Sequence, residues 1–130
     1  MIILDTSFIV SLLNKRDVHH SKAIEMLDSV DENEELAVHP LVLQETISVI
    51  ARKCRGQART CKEWLDKIAE FMNALKIVEF SSGSRDTMEI MKKADCELNY
   101  IDAVLVLTSK HLRAPVFTFD KLLLSFCKDE

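Results

Sequence analysis

The stretch NYIDAVLVLTSKHLRAPVFTFDKLL, residues 99–123, reads as helix, strand, helix, with an acid at each change of element. Asn99 is a helix-capping residue, and Tyr100–Leu112 after it is apolar on almost every side, so the spacing predicts a central, buried helix. Pro115–Phe119 then reads as a short apolar strand, and Lys121–Cys127 as another helix. Two carboxylates punctuate this stretch. Asp102 lies inside the first turn of the apolar helix, and Asp120 stands at the seam between strand and final helix.

The same seam occurs at the other end of the chain. In MIILDTSFIV, residues 1–10, the fully apolar Ile2-Ile3-Leu4 suits a strand buried on both faces and stops at Asp5. Thr6 or Ser7 can cap the helix that follows, with Phe8, Ile9, Leu12 and Leu13 inward, and Asp17 can cap a second one carrying Ala23, Ile24, Leu27 and Val30. Leu36–Pro40 reads as the second strand, Leu41–Lys53 and Cys61–Leu75 as helices, Lys76–Phe80 as the third strand, and Asp86–Asp95 as a helix with Met88, Met91 and Ala94 inward. Strands alternate with helices throughout. That pattern predicts an α/β fold with a parallel sheet covered by helices on both faces, in one domain over residues 1–130.

Composition supports a globular chain. Of 130 residues, 48% are hydrophobic and 29% charged, and only two Gly and two Pro leave little room for long linkers. The net charge of −4 argues against a generally basic nucleic-acid binder while leaving a local basic patch open. Cys54, Cys61, Cys96 and Cys127 show neither a CxxC pair nor zinc-like spacing, and they read as free thiols, buried as small apolar groups, in a cytoplasmic protein. The apolar start lacks a basic flank and is broken by Asp5, which makes it a poor signal peptide, and no apolar run is long enough to cross a bilayer.

Ligands of open parallel sheets bind beyond the carboxyl ends of the strands, at the switch point of strand order. If the first and fourth strands are neighbours, Asp5 and Asp120 converge there. Paired anions raise one another's pKa, and a divalent cation removes that cost; an all-oxygen carboxylate site suits Mg²⁺ or Mn²⁺. Asp102 and Glu45, each an acid in a mostly apolar helix, are the further candidates. Each acid also has an ordinary reading. Asp5 and Asp120 could be N-caps, Asp102 could close a capping box with Asn99, and Glu45 could sit on a solvated face with Leu41, Ser48 and Arg52. No Gly-rich phosphate loop follows the first strand, no GxSxG is present, and no Cys/His nucleophile pair is evident. His19 and His20 are adjacent, the wrong spacing for two ligands on one helix face, while His39 and His111 read as surface or capping residues.

The segments IILDTSFIVSLL, RDVHHSKAIEML, HPLVLQETISVIAR and LNYIDAVLVLTSKHLRAPVFTFDKLL, in this order over nearly the whole chain, resemble the PIN-domain family of metal-dependent nucleases, in particular the compact VapC-like toxins of toxin–antitoxin pairs. The resemblance implies a three-layer α/β/α fold with strand order 3-2-1-4. Its frequent fifth strand would be absent or vestigial here, since only CKDE follows the last helix. By position, the family's acids fall on Asp5, Glu45, Asp102 and Asp120, with Thr6 and Thr118 as hydroxyls that would orient a carboxylate or a metal-bound water. Asn99 stands where Ser or Thr is frequent in the family. The implied reaction is Mg²⁺- or Mn²⁺-dependent hydrolysis of RNA phosphodiesters, leaving a 5′-phosphate and a 3′-hydroxyl. Asp5, Asp102 and Asp120 would be ligands, and Glu45 a ligand or a positioner of water.

An acidic pocket repels RNA, so basic groups are needed nearby. Arg52, Lys53, Arg55, Arg59 and Lys62, with no acid among them, could meet phosphates or could be an ordinary solvated turn between helices. The resemblance further implies an antitoxin partner, reached through an apolar groove beside the first helices, and a homodimer. Two other readings compete: a non-catalytic PIN module binding RNA or protein in RNA processing, and an Asp5-dependent phosphatase. The phosphatase pattern wants a second Asp two residues on, where Ser7 stands.

Overall fold

Four short strands and seven helices alternate over residues 1–128, the residues that the structure, a computed structural model, describes. In chain order they are β1 (Ile2–Leu4), α1 (Thr6–Leu13), α2 (His20–Asp28), β2 (Leu36–Val38), α3 (Pro40–Lys53), α4 (Ala58–Met72), β3 (Lys76–Ile77), α5 (Ser84–Lys93), α6 (Tyr100–Leu112), β4 (Val116–Phe117) and α7 (Lys121–Lys128). The sheet is parallel in the order β3-β2-β1-β4, with Ile3 opposite Ala37 on one side and Val116 on the other. No fifth strand occurs among the described residues; Asp129 and Glu130 of the CKDE tail lie outside them.

The topology sets the layers. From β1 to β2 to β3 the chain steps in one direction across the sheet, and from β3 to β4 it steps back past β1. Because parallel crossovers are right-handed, the two directions place their helices on opposite faces. Accordingly α1 packs with α2 and α3, and α3 with α4, while α6 packs with α5 and α7. The result is a three-layer α/β/α sandwich whose order reverses between β1 and β4.

The central elements are buried as their composition predicts. Ile3, Leu4, Phe8, Val38, Val42, Leu98, Leu105, Val106 and Leu123 form the middle of the main core, and α6 contributes buried residues on several sides. A smaller core of Ile50, Cys54 and Ile68, flanked by Val10, Ile47, Cys61 and Trp64, fixes α4 on α3. The turn between those helices passes through Gly56 at φ +84°, a left-handed conformation that favours glycine. Helix α6 ends at Arg113, which is also left-handed, at φ 52° and ψ 44°.

Several local expectations need correction. Helix α4 starts at Ala58 rather than Cys61 and gives way after Met72 to three-residue turns, Asn73 N–H donating to the Glu70 carbonyl and Ala74 N–H to that of Phe71. Only Lys76 and Ile77 of Lys76–Phe80 are strand, with the Val78 amide adding one more bond to the Val38 carbonyl. Met88 points outward and is 48% exposed, because α5 turns Thr87 and Ile90 inward instead, while Ala94, just past its end, is buried as expected. Asp17 does not cap α2, which begins three residues later; its carboxylate orders the preceding turn by accepting from the Ser11 hydroxyl (2.9 Å) and the His19 amide (2.8 Å). All four cysteines are free, but only Cys54 is fully buried. Cys96 is exposed because the chain after α5 turns through left-handed residues, Asp95 and Cys96. His39 caps α3 as expected, accepting from the Leu41 amide at 3.1 Å, yet it is buried and its Nε2 meets the Phe80 carbonyl at 3.0 Å. Burial lowers its pKa, consistent with a neutral ring that accepts at Nδ1 and donates at Nε2. His111 is exposed and stacks on Phe80.

Candidate active site

Asp5 leaves β1 and is almost wholly buried, 5% exposed. Its backbone N–H still belongs to the sheet, donating to the Phe117 carbonyl of β4. Although it occupies the N-cap position of α1, its side chain caps nothing. Instead Oδ2 accepts from Thr118 Oγ1 at 2.7 Å and from Ser7 Oγ at 3.1 Å. The same two hydroxyls accept from the end of β4: the Asp120 amide donates to Thr118 Oγ1 and the Phe119 amide to Ser7 Oγ, each at 3.0 Å. Two hydroxyls thus tie the carboxyl ends of the adjacent strands together. Asp120 does cap its helix, Oδ1 accepting from the Leu123 amide at 3.1 Å.

Helix α3 starts directly after β2 and carries Glu45 one turn along the face toward α1. Thr6 Oγ1 donates to Glu45 Oε1 at 2.7 Å, and Thr46 Oγ1 lies 3.1 Å from Thr6 Oγ1 while donating to the Val42 carbonyl. The two threonines singled out in the sequence therefore serve crossed partners, Thr118 holding Asp5 and Thr6 holding Glu45. Asp102 completes a capping box: its amide donates to Asn99 Oδ1 at 2.8 Å, and the Asn99 amide donates to Asp102 Oδ2 at 3.2 Å.

Asp5, Glu45, Asp102 and Asp120 line one open cleft of about 430 Å³ beyond the carboxyl ends of β1 and β4. Burial of Asp102 is the main cause that pushes its carboxyl up to about 6. The Asn99 amide opposes the rise, and the negative fields of Asp5, Asp120 and Glu45 add to it. Thr6, Ser7, Val10, Ser11, Val49 and Asn99 complete much of the lining.

Two polar residues enter the cleft that the sequence did not mark for it, Asp17 and His19, and they are joined by Lys53 of the basic cluster. Burial opposes ionisation of Asp17, but the His19 amide and the Ser11 hydroxyl more than offset it and lower its pKa. Lys53 is the one member of the basic cluster that lines the cleft; Arg52, Arg55, Arg59 and Lys62 are exposed around the α3–α4 corner, and Arg59 pairs with Glu63 at 3.3 Å. Ser7 stood out in the sequence as a possible helix cap and as the residue standing where a phosphatase would have Asp. Its position two residues after Asp5 was the available signal for a supporting hydroxyl.

The donor set fits a hard divalent cation. Asp5, Asp102 and Asp120 each use one carboxylate oxygen in the bonds above. Among the described residues the other oxygen accepts no hydrogen bond, which leaves one carboxylate oxygen on each of these three cleft-lining acids available to a ligand. Among the same residues no three His, Cys, Asp or Glu side chains are gathered closely enough to hold an ion as they stand. The chemistry fits, and ligation requires the side chains to draw inward.

A parallel α/β/α sandwich with acids gathered at its switch point defines the class. The chain belongs to the PIN domain family, whose profile matches residues 2–128. The fold is similar to VapC20 of Mycobacterium tuberculosis, described as a sarcin-ricin loop cleaving toxin, at 17% identity over 96% of this chain and 94% of that one, TM-score 0.71. It is similar to FitAcB of Neisseria gonorrhoeae at 17% identity, 98% and 93% coverage and TM-score 0.77. It is also similar to VapBC2 of Rickettsia felis, solved bound to a DNA fragment from their promoter, at 20% identity, 92% and 88% coverage and TM-score 0.65. No curated protein matches the chain in sequence.

Proposed function

We propose that this PIN domain is a Mg²⁺- or Mn²⁺-dependent endoribonuclease, the toxin of a type II toxin–antitoxin pair. The observation that carries the reading is the convergence of four carboxylates, from four separate segments, on one cleft at the β1/β4 switch point. Asp5, Asp102 and Asp120 would hold the ion through their free oxygens, and Glu45, steadied by Thr6, would position the attacking water. When bound, a divalent ion would supply water activation and charge neutralisation at the scissile phosphate. Thr118 and Ser7 keep Asp5 aimed at the cleft, and Lys53 supplies a positive charge at the rim for the RNA backbone.

The toxin role rests on the likeness to VapC20 and VapBC2. It brings with it an antitoxin partner, a homodimer and a cytoplasmic setting. Val18 and Ile24, exposed beside the first helices, offer apolar contacts to such a partner. Among the described residues no helix is long and apolar enough to cross a membrane.

The test is cleavage of a mixed RNA pool. The protein should cut in Mn²⁺ or Mg²⁺, stop in chelator, and lose at least about 100-fold on Asp5→Asn or Asp102→Asn, since such groups typically contribute several kcal/mol of transition-state stabilisation. Cutting that persists in chelator would sink the proposal. One rival is a non-catalytic module that binds RNA or protein. That rival predicts RNA binding with no cleavage and no saturable Mn²⁺ uptake.

A further inference from the structure

One ring, that of His19, lines the acid cleft, and it is backed by two more. The His19 ring lies on Phe119 with centroids 4.5 Å apart and planes 10° apart. Phe119 in turn lies over Phe8, at 6.1 Å and 20°. Phe8 is fully buried, Phe119 half-buried and His19 exposed, so three nearly parallel rings rise from the core to the cleft rim. The column is held at both sides. The His19 amide donates to Asp17 Oδ1, and the Phe119 amide donates to Ser7 Oγ, the hydroxyl that also holds Asp5. Phe119 directly precedes Asp120 in the chain, which puts the column next to the acids.

One face of His19 is covered by Phe119, while the residue as a whole is exposed and lines the cleft. Five acids line the same cleft, namely Asp5, Asp17, Glu45, Asp102 and Asp120, and they repel a phosphate chain. A flat ring contributes affinity that this repulsion does not cancel, because stacking on a nucleobase requires no net charge. A base can lie there only when it is free of its own duplex stack.

We propose that His19 is a base-stacking platform that positions one unpaired nucleotide beside the scissile phosphate. This rests on the ribonuclease reading above. Neither Phe119 nor His19 touches the reacting atoms in this role; they are positioning residues.

The test uses the full chain with Mn²⁺ and single-stranded RNA oligonucleotides. His19→Ala should raise KM roughly 5- to 100-fold, the range expected for loss of one stacked base, with little change in kcat. His19→Phe should restore KM. An abasic nucleotide moved along the RNA should cost wild type the same factor at one position near the cut and cost His19→Ala nothing there. A 2-aminopurine at that position should be quenched by wild type and His19→Phe but not by His19→Ala. If His19→Ala instead lowers kcat, shifts the pH profile and is not rescued by Phe, the ring is a proton donor and the platform is overturned. If KM, kcat and quenching are all unchanged, the stack is only packing and the platform is overturned. Either result leaves the ribonuclease reading in place, whereas the absence of Mn²⁺-dependent cleavage of every RNA tried overturns both.

Discussion

Asp102 carries two duties that pull against each other. Its carboxylate closes the N-terminus of α6, and its burial among like charges makes ionisation unfavourable, moving its pKa from 3.8 to about 6. The folded protein therefore keeps a proton between those values that the unfolded chain has already released. Without metal, the stabilisation tied to this proton is fullest below about pH 4 and is lost as the pH rises to about 6. Asp102→Asn, which retains a carbonyl for the Asn99 amide, should flatten that part of the stability profile. In chelator at pH 7 it should raise stability on the order of 1–2 kcal/mol, a figure reduced for the water that still reaches the side chain. Urea unfolding at pH 4.5 and pH 7 would check this, and an unchanged pH slope in the variant would show that Asp102 is not the group responsible. A bound cation reverses the preference by favouring the carboxylate, so its uptake should release protons near pH 6.

At the scale of elements, the shortness of the strands throws the organisation onto helix ends. Helix α6 shows both kinds of end. The Asn99–Asp102 box closes its start, while its last turn closes on Arg113 in a left-handed conformation, with the Ala114 amide reaching back to the Ser109 carbonyl. A non-glycine residue there is strained. Arg113→Gly should stabilise the protein by about 0.5–1 kcal/mol, the relief being partly offset by the freer unfolded chain. A thermal melt that shows no gain would mean that the exposed Arg113 side chain contributes as much as the strain costs. The start of α6 was legible in the sequence because a capping box is local, with both partners within three residues. The span of α4 was not, because Gln57 carries no capping signature and the helix is placed by packing of Ile68 and Trp64 on α3. The outward turn of Met88 was hidden for a related reason: on a short, polar α5, Thr87 and Ile90 take the inward face.

For the whole molecule, the alternation of strand and helix carried the parallel sheet, and the reversal of strand order then brought Asp5 and Asp120 together. The alternation could be reasoned from spacing, whereas the strand order came from the family resemblance. The crossed threonine partners could not be read from either, since Thr6 reaches Glu45 only once α1 and α3 are side by side. Nor could the entry of Asp17, His19 and Lys53 into the cleft, which depends on how the turn between α1 and α2 folds back over α3. The exposed basic corner of Arg52, Lys53, Arg55 and Lys62 is the surface that the proposed function offers to an RNA backbone. Reversing two of these charges should weaken RNA binding and flatten its dependence on salt, lowering the log–log slope by about one for each phosphate that is no longer neutralised. An unchanged slope would remove the corner from the binding surface.

The proposed chemistry depends on four acids from separate segments forming one cation site. Titration of Mn²⁺ into the protein at pH 7, followed by loss of the free-ion electron paramagnetic resonance signal, measures this without any RNA present. Wild type should take up the ion saturably, and Asp5→Asn, Asp102→Asn and Asp120→Asn should each weaken uptake by at least about tenfold, as loss of one charged ligand from a hard-cation site requires. Uptake that is absent in wild type, or equally strong in all three variants, would contradict a shared site.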